Sequence, residues 1–277
     1  MARDRRPRHS HKGSSAPVRE KGFSPRFFLS TDPVDATPRA RGSQATLSEE
    51  DSHHALKVLR LRPGDRCEVV AEGGVVYEGV VSDMGPPLQV TLAAALRDDR
   101  VGALYKHEVG LVQAIPRPSA VDFVVEKGTE VGAGFFFLVQ SKGSSRSAAA
   151  GRAERLQRWR RIALEAAKQS KQTRVPCVQT CASLEETLGL LQGDLVHNVV
   201  LEPGAPSHLV QTVEGLPAGP RVRLALWVGP EGGWSAAESQ MLRAAGALSA
   251  GLGRSILRTE TAGPVAVAIA RLALDDW

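Results

Sequence analysis

Two loops toward the C-terminal end of this chain constrain its fold more than any other feature. Gly229-Pro230-Glu231-Gly232-Gly233 and Leu252-Gly253-Arg254-Ser255-Ile256-Leu257-Arg258-Thr259-Glu260-Thr261-Ala262 each follow a hydrophobic run that reads as a strand, and each leads into a helical pattern. Strand-to-loop-to-helix junctions this close together place both loops at one edge of an α/β sheet, where ligands usually sit. Both loops carry a carboxylate, Glu231 and Glu260, and neither carries the Lys of a phosphate-binding loop. A pocket of that make-up suits a ligand other than a polyphosphate; a cationic sulfonium cofactor fits it.

The pattern upstream agrees. Apolar runs predict strands over residues 109–115, 135–139, 177–179, 196–201, 222–228 and 248–252. Helical periodicity falls between them, over 120–131, 152–171, 183–191, 236–245 and from the second loop to about 274. Alternation of this kind gives a mostly parallel sheet covered on both faces. Ser235-Ala236-Ala237-Glu238 is a capping box, so a helix starts directly after Gly233-Trp234. Pro264 is expected in the first turn of the last helix, where its missing N–H matters least.

Residues 26–99 read as β instead, with short apolar runs at 26–29, 66–71, 75–81 and 88–94. Pro63-Gly64-Asp65, Gly73-Gly74 and Gly85-Pro86-Pro87 supply the turns between them. One helix over 48–59 takes Ser48 as its N-cap with Asp51 at N3. A small barrel with one helix fits, followed by a polar linker over 98–108.

Charge is unevenly placed. The net charge is +5, and residues 1–21 hold seven basic against two acidic side chains, leaving 28 of each sign in the remainder. That tail has almost no apolar groups and is expected to be disordered. It admits three readings: a solvated tail, a polycationic arm for RNA phosphates, and an organelle transit peptide. In the body, Lys and Arg number ten against Glu154 and Glu165 between Lys142 and Arg174. Leu156, Trp159, Ala163, Ala166 and Ser170 share one face of that helix, and Arg152, Arg155, Arg158, Arg161 and Lys168 the other. So one-sided a stripe is read as a phosphate-contacting surface, with a solvated basic face as the plainer alternative. His53, His54, Lys57, Arg60 and Arg62 extend it.

Other classes are disfavoured. No apolar run approaches about 18 residues, so no membrane span is expected. The first residues lack the apolar core of a secretion signal, so a cytoplasmic location is expected. Cys67, Cys177 and Cys181 form no framework, and neither Cys177-x-x-x-Cys181 nor His53-His54 has further ligands nearby, so no metal site is expected. No Gly-x-Gly-x-x-Gly opens the first βα unit, which disfavours a nucleotide-dependent oxidoreductase.

Five segments in order carry a resemblance. They are Arg26-Phe27-Phe28; Val58-Leu59-Arg60; Lys127-Gly128-Thr129-Glu130-Val131-Gly132; Glu165-Ala166-Ala167-Lys168-Gln169-Ser170 with Val175-Pro176; and the two glycine-bearing loops. Together they resemble the RsmE family, ribosomal RNA small subunit methyltransferase E. These are knotted (SPOUT) enzymes that use S-adenosylmethionine to methylate N3 of a uridine in 16S ribosomal RNA. The resemblance implies an α/β fold: a C-terminal, mostly parallel trefoil-knot domain over residues 99–277, preceded by a PUA-like RNA-binding β-barrel over 22–98 and the tail 1–21. It also implies a homodimer formed through the knotted domain. Leu201, Gly229, Glu231, Gly232, Leu252, Gly253, Leu257 and Thr259 then become cofactor residues. Arg258 and Glu260 become catalytic or substrate-orienting. Arg26, Arg60, Arg146, Arg155, Arg158 and Arg161 are assigned to RNA.

The chain departs from the family's pattern on one side of the cleft. Ser255 and Gln172 stand where arginines are usual, Ala120 where a basic residue is usual, and Gly143 or a displaced Arg146 at a further arginine position. None of these changes falls on a residue assigned to the cofactor. These changes leave open two rivals: a non-catalytic ribosome-assembly factor of the same fold, and a related methyltransferase acting on transfer RNA.

Overall fold

In a computed structural model describing residues 24–29, 39–96, 105–115, 118–141, 151–193, 196–217 and 219–277, the β-rich half forms one mixed five-stranded sheet. Its strands are β1 (Arg26–Phe28), β2 (Gln44–Thr46), β3 (Arg66–Val70), β4 (Val76–Asp83) and β5 (Gln89–Ala95), in the order β1-β3-β4-β5-β2. Only β1 and β3 run parallel. Phe27 on one edge strand and Ala45 on the other enter the same core with Cys67, Val69, Val81 and Val90. The sheet therefore wraps around its apolar face as a small barrel does.

Helix α1 (Glu49–His53) starts where the sequence places it, with the Ser48 side chain accepting from Asp51 N–H. It runs on as a π-helical turn, His54–Val58, rather than as regular α-helix to residue 59. β2 was not expected, because a three-residue strand with one buried side chain leaves no readable alternation.

The second half is a six-stranded, all-parallel sheet made of β6 (Glu108–Ala114), β7 (Phe135–Val139), β8 (Cys177–Cys181), β9 (Val196–Leu201), β10 (Arg223–Val228) and β11 (Leu248–Ala250). Its order is β11-β9-β10-β6-β7-β8. Every residue of β7 is buried, as expected for a strand covered on both faces. Helices α2 (Pro118–Glu130), α3 (Arg152–Gln169), α5 (Leu209–Glu214) and α7 (Thr259–Ala273) pack on one face. Helices α4 (Leu184–Leu190) and α6 (Ala236–Ala244) supply Leu184 and Leu242 to the other.

Two expectations are corrected. α5 is an additional helix, too short for periodicity to reveal. α7 begins at Thr259, so Pro264 is its sixth residue and lies buried in the second turn, not the first. A proline there removes the N–H that would bond the Glu260 carbonyl, a defect absorbed by the tight packing of α7 on the sheet.

The two halves are joined by buried charges. Arg26 is 4% exposed; its Nε donates to Glu68 at 2.8 Å, and its Nη1 to the carbonyls of Lys171 and Gln172. Lys171 donates back to Glu68 at 2.9 Å and to the Ser24 carbonyl. Lys168 on α3 meets Asp51 of α1 at 2.5 Å and Glu165 at 2.9 Å. Burial alone would lower the Lys168 pKa, but the two carboxylates outweigh it and hold the ammonium charged.

The expected linker over 98–108 lies partly outside the described residues, and its end belongs to the fold. Arg271, 1% exposed, donates to the carbonyls of His107 and Gly132 and to Asp276, and stacks over Tyr105 at 3.7 Å. His107 Nδ1 accepts from Val222 N–H at 2.9 Å, and burial lowers its pKa although Asp276 pulls the other way.

The folded imidazole therefore binds its proton more weakly than the unfolded one. Its contribution to stability is complete above the ordinary value of 6.5 and is lost as pH falls below it. The unfolding free energy from urea titrations should decline toward lower pH from there with a slope of up to about 1.4 kcal/mol per pH unit. His107→Asn, which keeps an acceptor but takes no proton, should flatten the decline between pH 6.5 and the lowered native value; equal slopes in the two proteins would refute the assignment.

Candidate functional site

Parallel pairing brings three strand ends level. Leu201 closes β9 in register with Val228 of β10 on one side and Ala250 of β11 on the other. The three following loops enclose a cleft of about 900 Å³. In the loop after β10, Gly233 N–H bonds the Pro230 carbonyl at 2.8 Å, and the Ser235–Glu238 capping box then opens α6 as expected. The loop after β11 is tied to the segment after β9 by Gly251 N–H to Ser207 O and by Leu209 N–H to Gly251 O, both 2.9 Å.

Glycine is needed at two places. At Gly229 a Cβ would sit 3.2 Å from the indole nitrogen of Trp234, so the close seat of that ring depends on the missing side chain. Gly253 has φ +134°, which side-chain-bearing residues rarely adopt. The Trp234 indole N–H is buried at the cleft wall without an acceptor among the described residues.

Of the expected cofactor residues, Leu201, Gly229, Glu231, Leu252, Gly253, Leu257 and Thr259 line this cleft, as do Arg258 and Glu260. Gly232 is the exception. It is not among the residues lining the cleft, although Glu231 and Gly233 on either side of it are, and a Cβ there would meet no protein atom within 4 Å. Arg258 is exposed at the N-cap of α7 and makes no side-chain cap bond. Half-buried Glu260 accepts from the Thr259 hydroxyl at 3.3 Å. The sequence places Leu201-Glu202-Pro203 at the same cleft but assigns no role to Glu202, Ser249 or Trp234. The first two meet only through strand register, Ser249 Oγ donating to Glu202 Oε2 at 2.6 Å.

The basic residues divide. Arg26 is corrected: buried and engaged with Glu68 and two carbonyls, it holds the halves together and has no donor facing an RNA surface. Lys168 is corrected likewise, with its side chain 12% exposed against α1. Arg158 pairs with Asp122 at 2.5 Å while remaining 61% exposed. Arg60 and Arg161 are exposed, Arg155 is half-buried, and Arg146 lies outside the described residues.

Ser255 is exposed on the cleft wall. Gln172 does not face the cleft; its carbonyl accepts from Arg26 and its amide reaches Tyr105 at 3.3 Å. Ala120 is half-buried in the first turn of α2, and Gly143 lies outside the described residues. Burial pushes the Cys67 thiol up to about 12 and raises Cys181 too, so neither is a thiolate nucleophile. Among the described residues, no three His, Cys, Asp or Glu side chains gather as metal ligands.

Comparison with known proteins agrees with this geometry. The RNA methyltransferase domain family matches residues 104–271, and the RNA methyltransferase PUA domain family matches 47–92. The ribosomal RNA small subunit methyltransferase E of Synechocystis is 31% identical over 92% of this chain and 81% of its own length. That of Mycobacterium bovis is 30% identical over 88% and 92%.

The chain belongs to the ribosomal RNA small subunit methyltransferase E family. The solved Neisseria gonorrhoeae member of that family, bound to S-adenosyl methionine, superposes with a TM-score of 0.75 at 25% identity, covering 90% of this chain and 98% of the other. The fold is that of the SPOUT, or α/β-knot, methyltransferases with a PUA-like domain in front.

The cleft glycines are expected to differ in tolerance. Gly253→Ala should cost about 1–2 kcal/mol, because it forces a side chain into a strained backbone region. Gly232→Ala should stay within about 0.5 kcal/mol, as surface changes away from special geometry do. Thermal unfolding of the two variants checks this, and equal loss in both would contradict it.

Proposed function

We propose that this protein transfers the methyl group of S-adenosylmethionine to N3 of a uridine in 16S ribosomal RNA, within the small ribosomal subunit. The observation that carries the reading is the three-loop cleft with Arg258 and Glu260 in its wall, in a chain that matches the methyltransferase E family along most of its length. The residues present suit the cofactor. The volume is that of a small-molecule site, and the lining contains no lysine for a polyphosphate. Glu202, Glu231 and Glu260 make its field favourable to a cation. The orphan indole N–H of Trp234 awaits an acceptor.

Leu201, Gly229, Leu252, Gly253, Leu257 and Thr259 would hold the cofactor, in part through backbone groups. When bound, its sulfonium supplies an electrophilic methyl carbon. Uracil N3 carries a proton and a delocalised lone pair, so attack requires that the proton leave. Arg258 would stabilise negative charge growing on the flanking carbonyl oxygens, and Glu260 would orient the base or accept its proton. The chemistry requires no cysteine.

For RNA docking, we place the PUA-like half over residues 22–98 and the methyltransferase half over 99–277. Arg60, Arg155, Arg158 and Arg161 would contact phosphate, with Arg158 contributing least because Asp122 already holds it. A homodimer through the knotted half accords with the large apolar groups left exposed there, Ile256, Leu272 and Trp277. No helix among the described residues is long and apolar enough to cross a membrane, and a cytoplasmic location fits a ribosomal substrate.

Arg258→Ala should slow methyl transfer to small subunits by about 100-fold while cofactor affinity is largely kept, as for removal of one charge-stabilising donor. Ser255→Arg should raise the rate if that position lost a useful cation. Methyl transfer to transfer RNA instead, or to no RNA or particle at all despite cofactor binding, would overturn the proposal. RNA affinity should fall steeply with salt. Arg161→Ala should lower the slope of log affinity against log salt by about 0.7–0.9, and Arg158→Ala by less. An unchanged slope for Arg161→Ala would make that face merely solvated.

A further inference from the structure

The cleft contains a carboxylate to which the mechanism above gives no contact of its own. Glu202 follows directly on β9, which lies between β11 and β10, so its position falls between the two glycine-bearing loops. Its backbone is fixed on both sides: the N–H donates to Ala250 O at 3.0 Å, and the carbonyl accepts from Ala205 N–H at 3.2 Å. The half-buried side chain lines the cleft, and Oε2 accepts from Ser249 Oγ at 2.6 Å. Ser249 sits beside Val200 in the β11–β9 register, so the neighbouring strand carries the hydroxyl that aims the carboxylate. Among the described residues no ion pair engages Glu202.

An ionised carboxylate offers about four acceptor sites and no donor. Ser249 fills one, leaving an acceptor surface directed into the cleft without a cation to neutralise it. A ligand reaching from one glycine-bearing loop to the other has its middle over Glu202. In a nucleoside sulfonium that middle is the ribose, whose 2′ and 3′ hydroxyls are adjacent donors.

We propose that Glu202, aimed by Ser249, recognises the ribose hydroxyls of the cofactor, an inference that rests on the S-adenosylmethionine reading above. Ser249 is then a positioning residue, and Glu202 makes the cleft selective for a ribonucleoside. Hydrogen bonds from hydroxyl to carboxylate are charge-assisted and shorter than neutral ones, so their loss is measurable in affinity.

Calorimetry on the full chain tests this with S-adenosylmethionine, S-adenosylhomocysteine and the 2′- and 3′-deoxy analogues of the latter. The wild type should prefer S-adenosylhomocysteine over at least one deoxy analogue by about 10- to 100-fold. Glu202→Leu, which keeps bulk and removes both oxygens, should lose a similar factor for S-adenosylmethionine and S-adenosylhomocysteine alike, while binding that deoxy analogue as the wild type does. Ser249→Ala should show the same pattern with a smaller loss. A loss confined to the charged S-adenosylmethionine would overturn the inference and make Glu202 a counter-ion to the sulfonium. An equal loss for the deoxy analogue would overturn it as well. If Glu202→Leu does not fold, the wild-type preference and Ser249→Ala decide alone, and absence of discrimination by the wild type refutes the proposal. A wild type that binds neither parent compound would instead overturn the cofactor reading itself.

Discussion

Parallel strand pairing is the constraint from which the site follows. Each parallel neighbour must be reached by a crossover, so successive strands run the same way and leave their C-terminal ends along one edge. In this sheet β9 is flanked by β11 and β10, and the three ends are level at Leu201, Ala250 and Val228. Loops that are separated in sequence thereby become walls of one cleft. Its chemistry is largely backbone and carboxylate, with a single lining arginine, Arg258, at the start of α7.

Charge does two different jobs along α3. The sequence presents one basic stripe, yet its C-terminal end meets Asp51 and Glu68 of the other half while its earlier turns face outward. Buried ion pairs add little net stability compared with apolar packing, but breaking one leaves a charge stranded, so they fix geometry firmly. The relation between the PUA-like half and the cleft is accordingly held by Arg26, Lys168 and Lys171. A substrate gripped by both halves would meet them at a set spacing.

Legibility followed distance in sequence. Ser48 and Ser235 were readable because a cap and its partner lie three residues apart. The buried strands β7 and β10 announced themselves by composition. Arg26 could not be read, since its partners lie 42 to 146 residues away and an arginine before two phenylalanines looks the same whether it meets RNA or a carbonyl. Glu202 and Ser249 were invisible as a pair for the same reason: only the β11–β9 register joins them. Pro264 misled because propensity places proline in a first helical turn, and tertiary packing overrode it. The cofactor loops were legible as motifs, although the motif did not distinguish Gly232, which faces open space, from Gly229, which seats an indole.

The register of β6 against β10 has a consequence for how the chain is made. Glu108 pairs with Arg223, so the central seam of the parallel sheet joins segments more than a hundred residues apart. Every strand of the N-terminal sheet, by contrast, finds its partners within residues 26–95. During synthesis the N-terminal half can therefore close while the strand that completes the other half has yet to be translated. Non-local parallel pairing is also the slower kind to form. For an interval each new molecule consists of a finished docking module ahead of an unfinished catalyst, with β6 and β7 lacking their later neighbours and dependent on the remaining chain to cover them.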